Sequence, residues 1–245
     1  MDISPDSTIF WQWGFIKLSA TLVFTWAVMI LLVIISWLAT RKIAVEPPIS
    51  RWQHFLEIVI GYLRDQIRDV TNQEPDRYLS FLGTLFLFIA LSNILAIIPF
   101  YQPPTGSLYT TSALAICVFF AVPIFGVAYQ GVGKYLKRYI QPSIFMLPFN
   151  IIGELSRTLA LAVRLFGNVM SGSLVAGLLV SVAPLFLPAL MSGFGLLIGV
   201  IQAYIFFILA TVYIGSATRG AEKEGSDKSD KKENSDKNGK ENNKE

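Results

Sequence analysis

Across residues 78–218 only six side chains carry a formal charge: Lys134, Lys137, Arg138, Glu154, Arg157 and Arg164. A soluble surface needs far more polar groups than that stretch can supply. Charged residues make up 15% of the whole chain, against about 25% in ordinary soluble domains. Even that share is unevenly placed, because residues 219–245 alone hold eight Lys/Arg and eight Asp/Glu. A bilayer is the solvent that fits runs so long and so apolar.

Five hydrophobic segments are legible, at about 14–38, 81–100, 110–130, 144–182 and 188–217. Together they predict an all-α integral membrane protein with about five membrane helices. The last two are much longer than the ~20 residues that a ~30 Å hydrocarbon core requires, so they are expected to tilt and to form a hairpin. Between the first two spans, residues 51–70 set Phe55, Ile58, Val59, Tyr62, Leu63 and Ile67 at helical spacing against Glu57, Arg64, Asp65 and Arg68. That pattern is an amphipathic surface helix. Residues 1–218 therefore read as one membrane domain. Residues 219–245, lacking aromatic and branched aliphatic side chains, read as a disordered charged cytoplasmic tail.

The basic residues orient the chain. Arg41, Lys42, Arg51, Lys134, Lys137, Arg138 and Arg219 all follow the odd-numbered spans, whereas the first 13 residues contain Asp2 and Asp6 and no basic group. The expected arrangement has the N-terminus outside or lumenal and the C-terminus cytoplasmic. Lys17 alone is out of register, and it can snorkel to the outer interface.

Several kinds of chemistry have no basis in the sequence. There is no G-x-x-x-x-G-K-[ST] loop, so direct nucleotide binding is not expected. The only histidine, His54, and the only cysteine, Cys117, make no metal cluster, so neither a metal nor a cofactor is predicted. No serine has the setting of a nucleophile elbow. The net charge of +3 comes from basic residues beside hydrophobic spans, which argues for membrane orientation and against nucleic acid. The chain is not expected to be an enzyme by itself.

One residue stands out. Arg164 is flanked by apolar side chains for several residues on both sides. A mid-membrane arginine costs from ~3 kcal/mol to over ~10 kcal/mol, depending on how it is measured. A guanidinium cannot shed its proton to relieve that cost. It must face water, an anion or a partner. Arg157 is seven residues earlier and shares its helical face, and Asn168 is one turn later. Ala160, Gly167 and Ser171 lie on or beside this stripe and are small, which suits close approach of a second helix. Glu154, ten residues back, is too far along one helix to pair directly, although an Arg164–Glu154 pair that merely holds the bundle together remains an alternative. Gln202 comes to a similar depth as Asn168 if the last two segments form a hairpin. A stand-alone secondary transporter or channel using Arg164 as an anion site is a second reading, and a purely structural anchor a third.

The run Arg164-Leu165-Phe166-Gly167-Asn168, followed by Gln202-Ala203-Tyr204-Ile205-Phe206, closely resembles subunit a of the F-type ATP synthase. The resemblance covers about residues 51–216 and includes Gly83-Thr84, Ser92-Asn93, Tyr139-Ile140-Gln141-Pro142 and Pro148-Phe149-Asn150-Ile151. It is most like cyanobacterial and chloroplast members. It implies a static ion-channel subunit of a rotary ATP synthase or ATPase, in a bacterial plasma membrane or a cyanobacterial thylakoid. Its implied partners are a ring of c subunits, subunit b of the peripheral stalk and the rest of the F1Fo complex. By this resemblance Arg164 faces the ring carboxylates, forces ion release and separates two offset half-channels. Asn168 and Gln202 line the same interface, and Glu154 serves the inner half-channel.

Three positions depart from the family's pattern. Ser173 stands where many members have a glutamate. Pro104-Thr105-Gly106-Ser107 lacks the aspartate of "PTND". Thr158 replaces the proline of "KP", after Arg157 in place of lysine. The outer path thus loses its acidic groups, while Ser107, Thr110, Thr111, Ser112 and Ser173 offer only hydroxyls. These departures resemble a divergent Na⁺-translocating N-ATPase branch and put Na⁺ beside H⁺ as the transported ion.

Overall fold

A computed structural model describes residues 9–13, 16–40, 51–98, 101–133, 135, 146–182 and 186–218. Among them six α-helices follow one another: α1 (Ala20–Thr40), α2 (Arg51–Thr71), α3 (Asp76–Ile94), α4 (Leu108–Gln130), α5 (Met146–Val182) and α6 (Phe186–Thr218). Five are long and apolar enough to cross a membrane, over residues 20–38, 76–97, 108–130, 148–179 and 190–218. The helical membrane fold expected from the sequence is present, with five spans. The tail from 219 onward, and the basic residues Arg41, Lys42, Lys134, Lys137, Arg138 and Arg219, lie outside the described residues.

The start of the first span differs from the expectation. Residues Ile9–Trp13 and Ile16–Ser19 pair as a short antiparallel hairpin, with Gln12 opposite Lys17 and Trp13 opposite Ile16. The first helix begins only at Ala20. Lys17 therefore belongs to a strand ahead of the helix, and not to the outer end of a span. The physical reason is that short aromatic and β-branched runs satisfy strand and helix patterns equally well, and here hairpin pairing supplies the backbone bonds.

α2 is the expected amphipathic helix, with its buried edge narrower than the apolar pattern. Leu63 and Ile67 are fully buried, while Ile58 and Tyr62 are exposed. Leu63 and Ile67 are one turn apart and face α3 and α6, against which the helix packs. It ends at Thr71, where Asn72 takes a left-handed backbone (φ 54°) and its N–H returns to the Arg68 carbonyl at 2.7 Å. Asparagine tolerates that conformation better than most residues. The turn is bridged by Arg64 and Asp76, 2.6 Å apart and both well exposed. An ion pair so open to solvent contributes at most ~1 kcal/mol.

α5 has 37 residues and α6 has 33, so at ~1.5 Å per residue each is ~50 Å or more long. Each exceeds the hydrocarbon core and must be inclined within it. They pack on each other, α6 also packs extensively on α3, and α4 packs on both long helices. α6 is the centre of the bundle. Its residues Ala203, Phe206, Ala210, Ile214 and Ala217 recur every three or four positions and, with Phe207 beside them, are all buried, the spacing that keeps one helical face continuous. Its C-terminal carbonyls are met from α4: Gln130 Nε2 donates to the Ala217 and Thr218 oxygens at 2.7 and 3.1 Å. Carbonyls at a helix end have no partner within the helix, so a side-chain donor closes that end.

Candidate functional site

α5 presents two unlike faces. Leu161, Ala162 and Leu165 are buried against the bundle, whereas Ile151, Ile152, Leu155, Leu159, Val163, Val175 and Leu178 are exposed. Arg164 lies at the boundary between them and is itself exposed. Among the described residues it makes no ion pair, and Arg64–Asp76 is the salt bridge they contain. An Arg164–Glu154 pair is therefore not formed. Glu154 is half-buried ten residues away.

The expected stripe exists, and this chain leaves it open. Arg157, Ala160, Arg164 and Ser171 are all exposed, and a side-chain carbon added at Gly167 would meet nothing within 4 Å. The hairpin partner α6 meets α5 at Asn168, while Leu161 and Leu165 are buried in the bundle. Arg157 leans back to the bundle, its guanidinium carbon 5.7 Å from the centre of the Tyr213 ring. Tyr213→Leu should remove a cation–π contact of about 0.5–1 kcal/mol. A small drop in the melting temperature of the purified protein, with Arg157→Lys intermediate, checks it.

Asn168 and Gln202 come together as the hairpin requires. Asn168 Nδ2 donates to Gln202 Oε1 at 3.5 Å, the long limit of a hydrogen bond. Gln202 is 4% exposed and its Nε2 has no partner. Two residues on, Tyr204 Oη donates to Gln66 Oε1 at 2.9 Å and lies 3.4 Å from Tyr62 Oη. This contact anchors α2 to α6 near Gln202.

The serines are arranged less simply. Ser171 is on the Arg164 stripe, and its hydroxyl donates to the Asn168 carbonyl at 3.2 Å. Ser173 is exposed and donates to Met170 at 2.8 Å. Nine residues at about 100° each place it half a turn from Arg164, so the two do not share a face. In the α3–α4 connection Thr105 and Ser107 are fully buried, as is Thr111 in the first turn of α4. The Thr111 hydroxyl is held by the Ser107 and Leu108 carbonyls.

The short helical turn Pro104–Gly106 folds back into the bundle and touches α1, α3, α4 and α5. Thr105 Oγ1 donates to Asn93 Oδ1 at 2.9 Å, and Asn93 Nδ2 donates to the Gly199 carbonyl at 3.0 Å. Asn93 thereby ties the connection to α6 one turn before Gln202. An asparagine ending an apolar span, and a glycine three residues before a buried glutamine, were the available signals. Neither says that they touch.

The sequence pattern of the ATP synthase A chain family matches residues 22–215. A protein of Crocosphaera subtropica named ATP synthase subunit a 1 is 60% identical over 216 residues, covering 88% of this chain and 94% of the relative. ATP synthase subunit a 2 of Acaryochloris marina is 60% identical over 219 residues, covering 89% and 94%. ATP synthase subunit a of Albidiferax ferrireducens is 57% identical over 220 residues, covering 90% and 95%.

Proposed function

The chain belongs to the ATP synthase A chain family, and from that premise we propose that it forms the static side of the ion path in the membrane sector of a rotary ATP synthase or ATPase. It is a non-catalytic, multi-pass membrane component of that complex. The observation that carries the mechanism is Arg164, exposed at the edge of an apolar helix face and without a counter-ion among the described residues.

A cation in that position needs a carboxylate brought from outside the chain. A c-subunit carboxylate passing Arg164 is favoured in its charged form and must give up its ion. The ion leaves through one half-channel, and a new one arrives through the other. The fixed guanidinium between them blocks a direct leak. Asn168 and Gln202 line the contact on the flank of Arg164, and Glu154 serves the inner path. Arg157 holds the cytoplasmic end of the hairpin through Tyr213. Ser171 and Ser173 supply hydroxyls on opposite sides of α5. Subunit b of the peripheral stalk keeps the chain from turning with the ring. The N-terminus lies outside or in the lumen and the C-terminus in the cytoplasm, in a plasma or thylakoid membrane.

Reconstitution separates this reading from a stand-alone transporter. The purified chain in vesicles should pass no more H⁺ or Na⁺ than empty vesicles, while the complete complex should take up ions on ATP addition. Flux through the chain alone would exclude the rotary role. Varying pH and Na⁺ separately in the complex identifies the ion: uptake that ignores Na⁺ and follows pH alone removes Na⁺ from consideration.

A further inference from the structure

The Gln202 side chain is buried but weakly held. Among the described residues its one hydrogen bond, from Asn168, is at the 3.5 Å limit. A side chain with so little grip of its own takes its position from the helix that carries it, and from what holds that helix. Asn93 Nδ2 donates to the Gly199 carbonyl at 3.0 Å, and Tyr204 Oη donates to Gln66 Oε1 at 2.9 Å. At about 100° and ~1.5 Å per residue, Gly199 lies about 60° to one side of Gln202 and Tyr204 about 160° to the other, all within ~7.5 Å of the axis. Three helices, α3, α5 and α2, thus grip α6 from three directions at the level of Gln202.

We propose that Tyr204 and Gln66 are positioning residues for Gln202: through their hydrogen bond the amphipathic helix α2 fixes the rotation of α6 about its axis, and with it the direction in which Gln202 meets Asn168. This rests on the proposed ion-path function, in which Gln202 lines the contact beside Arg164. α2 is suited to act as the reference. Leu63 and Ile67, on either side of Gln66, are fully buried. The helix end is tied to α3 by Arg64 and Asp76. α2 also meets α6 a second time, where a side-chain carbon added at Gly215 would be 3.0 Å from the Thr71 Cγ2. Two contacts so far apart along α6 resist its turning against α2.

The hydroxyl of Tyr204 carries this role, and its ring does not. The ring centre is 6.5 Å from that of Phe207 and 6.2 Å from that of Tyr62, contacts that phenylalanine would keep. Only the hydroxyl reaches Gln66. Without it the half-buried Gln66 amide loses its donor, and α6 loses the one polar contact that opposes rotation from the side away from Gln202. A turn of about 20° would carry a side-chain tip ~5 Å from the helix axis by ~2 Å. The Asn168–Gln202 contact, already at 3.5 Å, has no room for such a shift.

ATP-driven uptake by the assembled complex, measured against pH and against Na⁺ concentration, tests the role. Tyr204→Phe should move the half-saturating concentration of the transported ion about two- to tenfold, what one net hydrogen bond is worth. Gln66→Leu should move it equally, and the double variant no further than either. Gln130→Leu serves as the structural control: it removes hydrogen bonds to the far end of α6, so it should lower the melting temperature and leave half-saturation where it was. In a Gln202→Leu complex, Tyr204→Phe should add nothing. An unmoved half-saturation in Tyr204→Phe or Gln66→Leu, an equal shift in Gln130→Leu, or a shift that adds to that of Gln202→Leu overturns the positioning role. Should Gln202→Leu abolish uptake, the other variants decide. Arg164→Ala is run in parallel: if it abolishes uptake while Tyr204→Phe changes nothing, the ion-path function stands and only the positioning falls. Undiminished uptake by Arg164→Ala overturns the ion-path function itself.

Discussion

Replacing Arg164 with alanine should reduce ATP-driven ion uptake by the assembled complex to the background of empty vesicles. The loss follows from the site's electrostatics. In the proposed mechanism, a carboxylate passing α5 without the cation has no reason to release its ion, and the two proposed half-channels lose what separates them. Arg164→Lys should also fail to restore coupling, because a compact ammonium cannot reproduce a planar, permanently charged guanidinium fork. Blue-native gels verify assembly, and a pH or Na⁺ indicator in the vesicle reads uptake. Undiminished uptake by a fully assembled Arg164→Ala complex would reduce the residue to a structural anchor.

The second large effect is expected at Gly199. A Cβ placed there would be 2.7 Å from the Asn93 Cβ and 3.1 Å from its Cγ. The Asn93 Cβ is fixed to the backbone of α3, so relief requires two packed helices to part. Gly199→Val should cost about 1–3 kcal/mol from overpacking, with a further ~1 kcal/mol if the Asn93–Gly199 hydrogen bond is lost. Gly215 is an internal comparison. There the nearest atom is the Thr71 Cγ2 at 3.0 Å, a contact relieved by a shift of a few tenths of an ångström. Thermal unfolding of the purified complex should show a clear drop for Gly199→Val and a much smaller one for Gly215→Ala. Equal shifts would mean that the α3–α6 contact is looser than the geometry says.

The two sites differ in how far the sequence announces them. Arg164 is visible because charge is scarce around it, and its relation to Arg157, Asn168 and Ser171 follows from helical spacing alone. The meeting of Asn168 with Gln202 was accessible through hairpin arithmetic, since two long apolar runs with a short uncharged connection constrain which depths face each other. The Asn93–Gly199 contact joins residues 106 apart in sequence, and periodicity carries no information across such a gap. Ser173 shows a different limit. Its place nine residues after Arg164 was read from a resemblance, while the helix turns it to the other side. At Lys17 the difficulty was local, because an aromatic and β-branched run has no strong preference between strand and helix.

The open stripe on α5 also bears on how such a chain survives before it is assembled. A newly inserted copy displays an arginine at the edge of a lipid-facing surface, and the bilayer penalises that copy until something anionic or aqueous covers it. Covering that surface removes the penalty, so the exposed arginine makes a solitary copy an uneasy tenant of the membrane. Its residence there is tied to the supply of its partner.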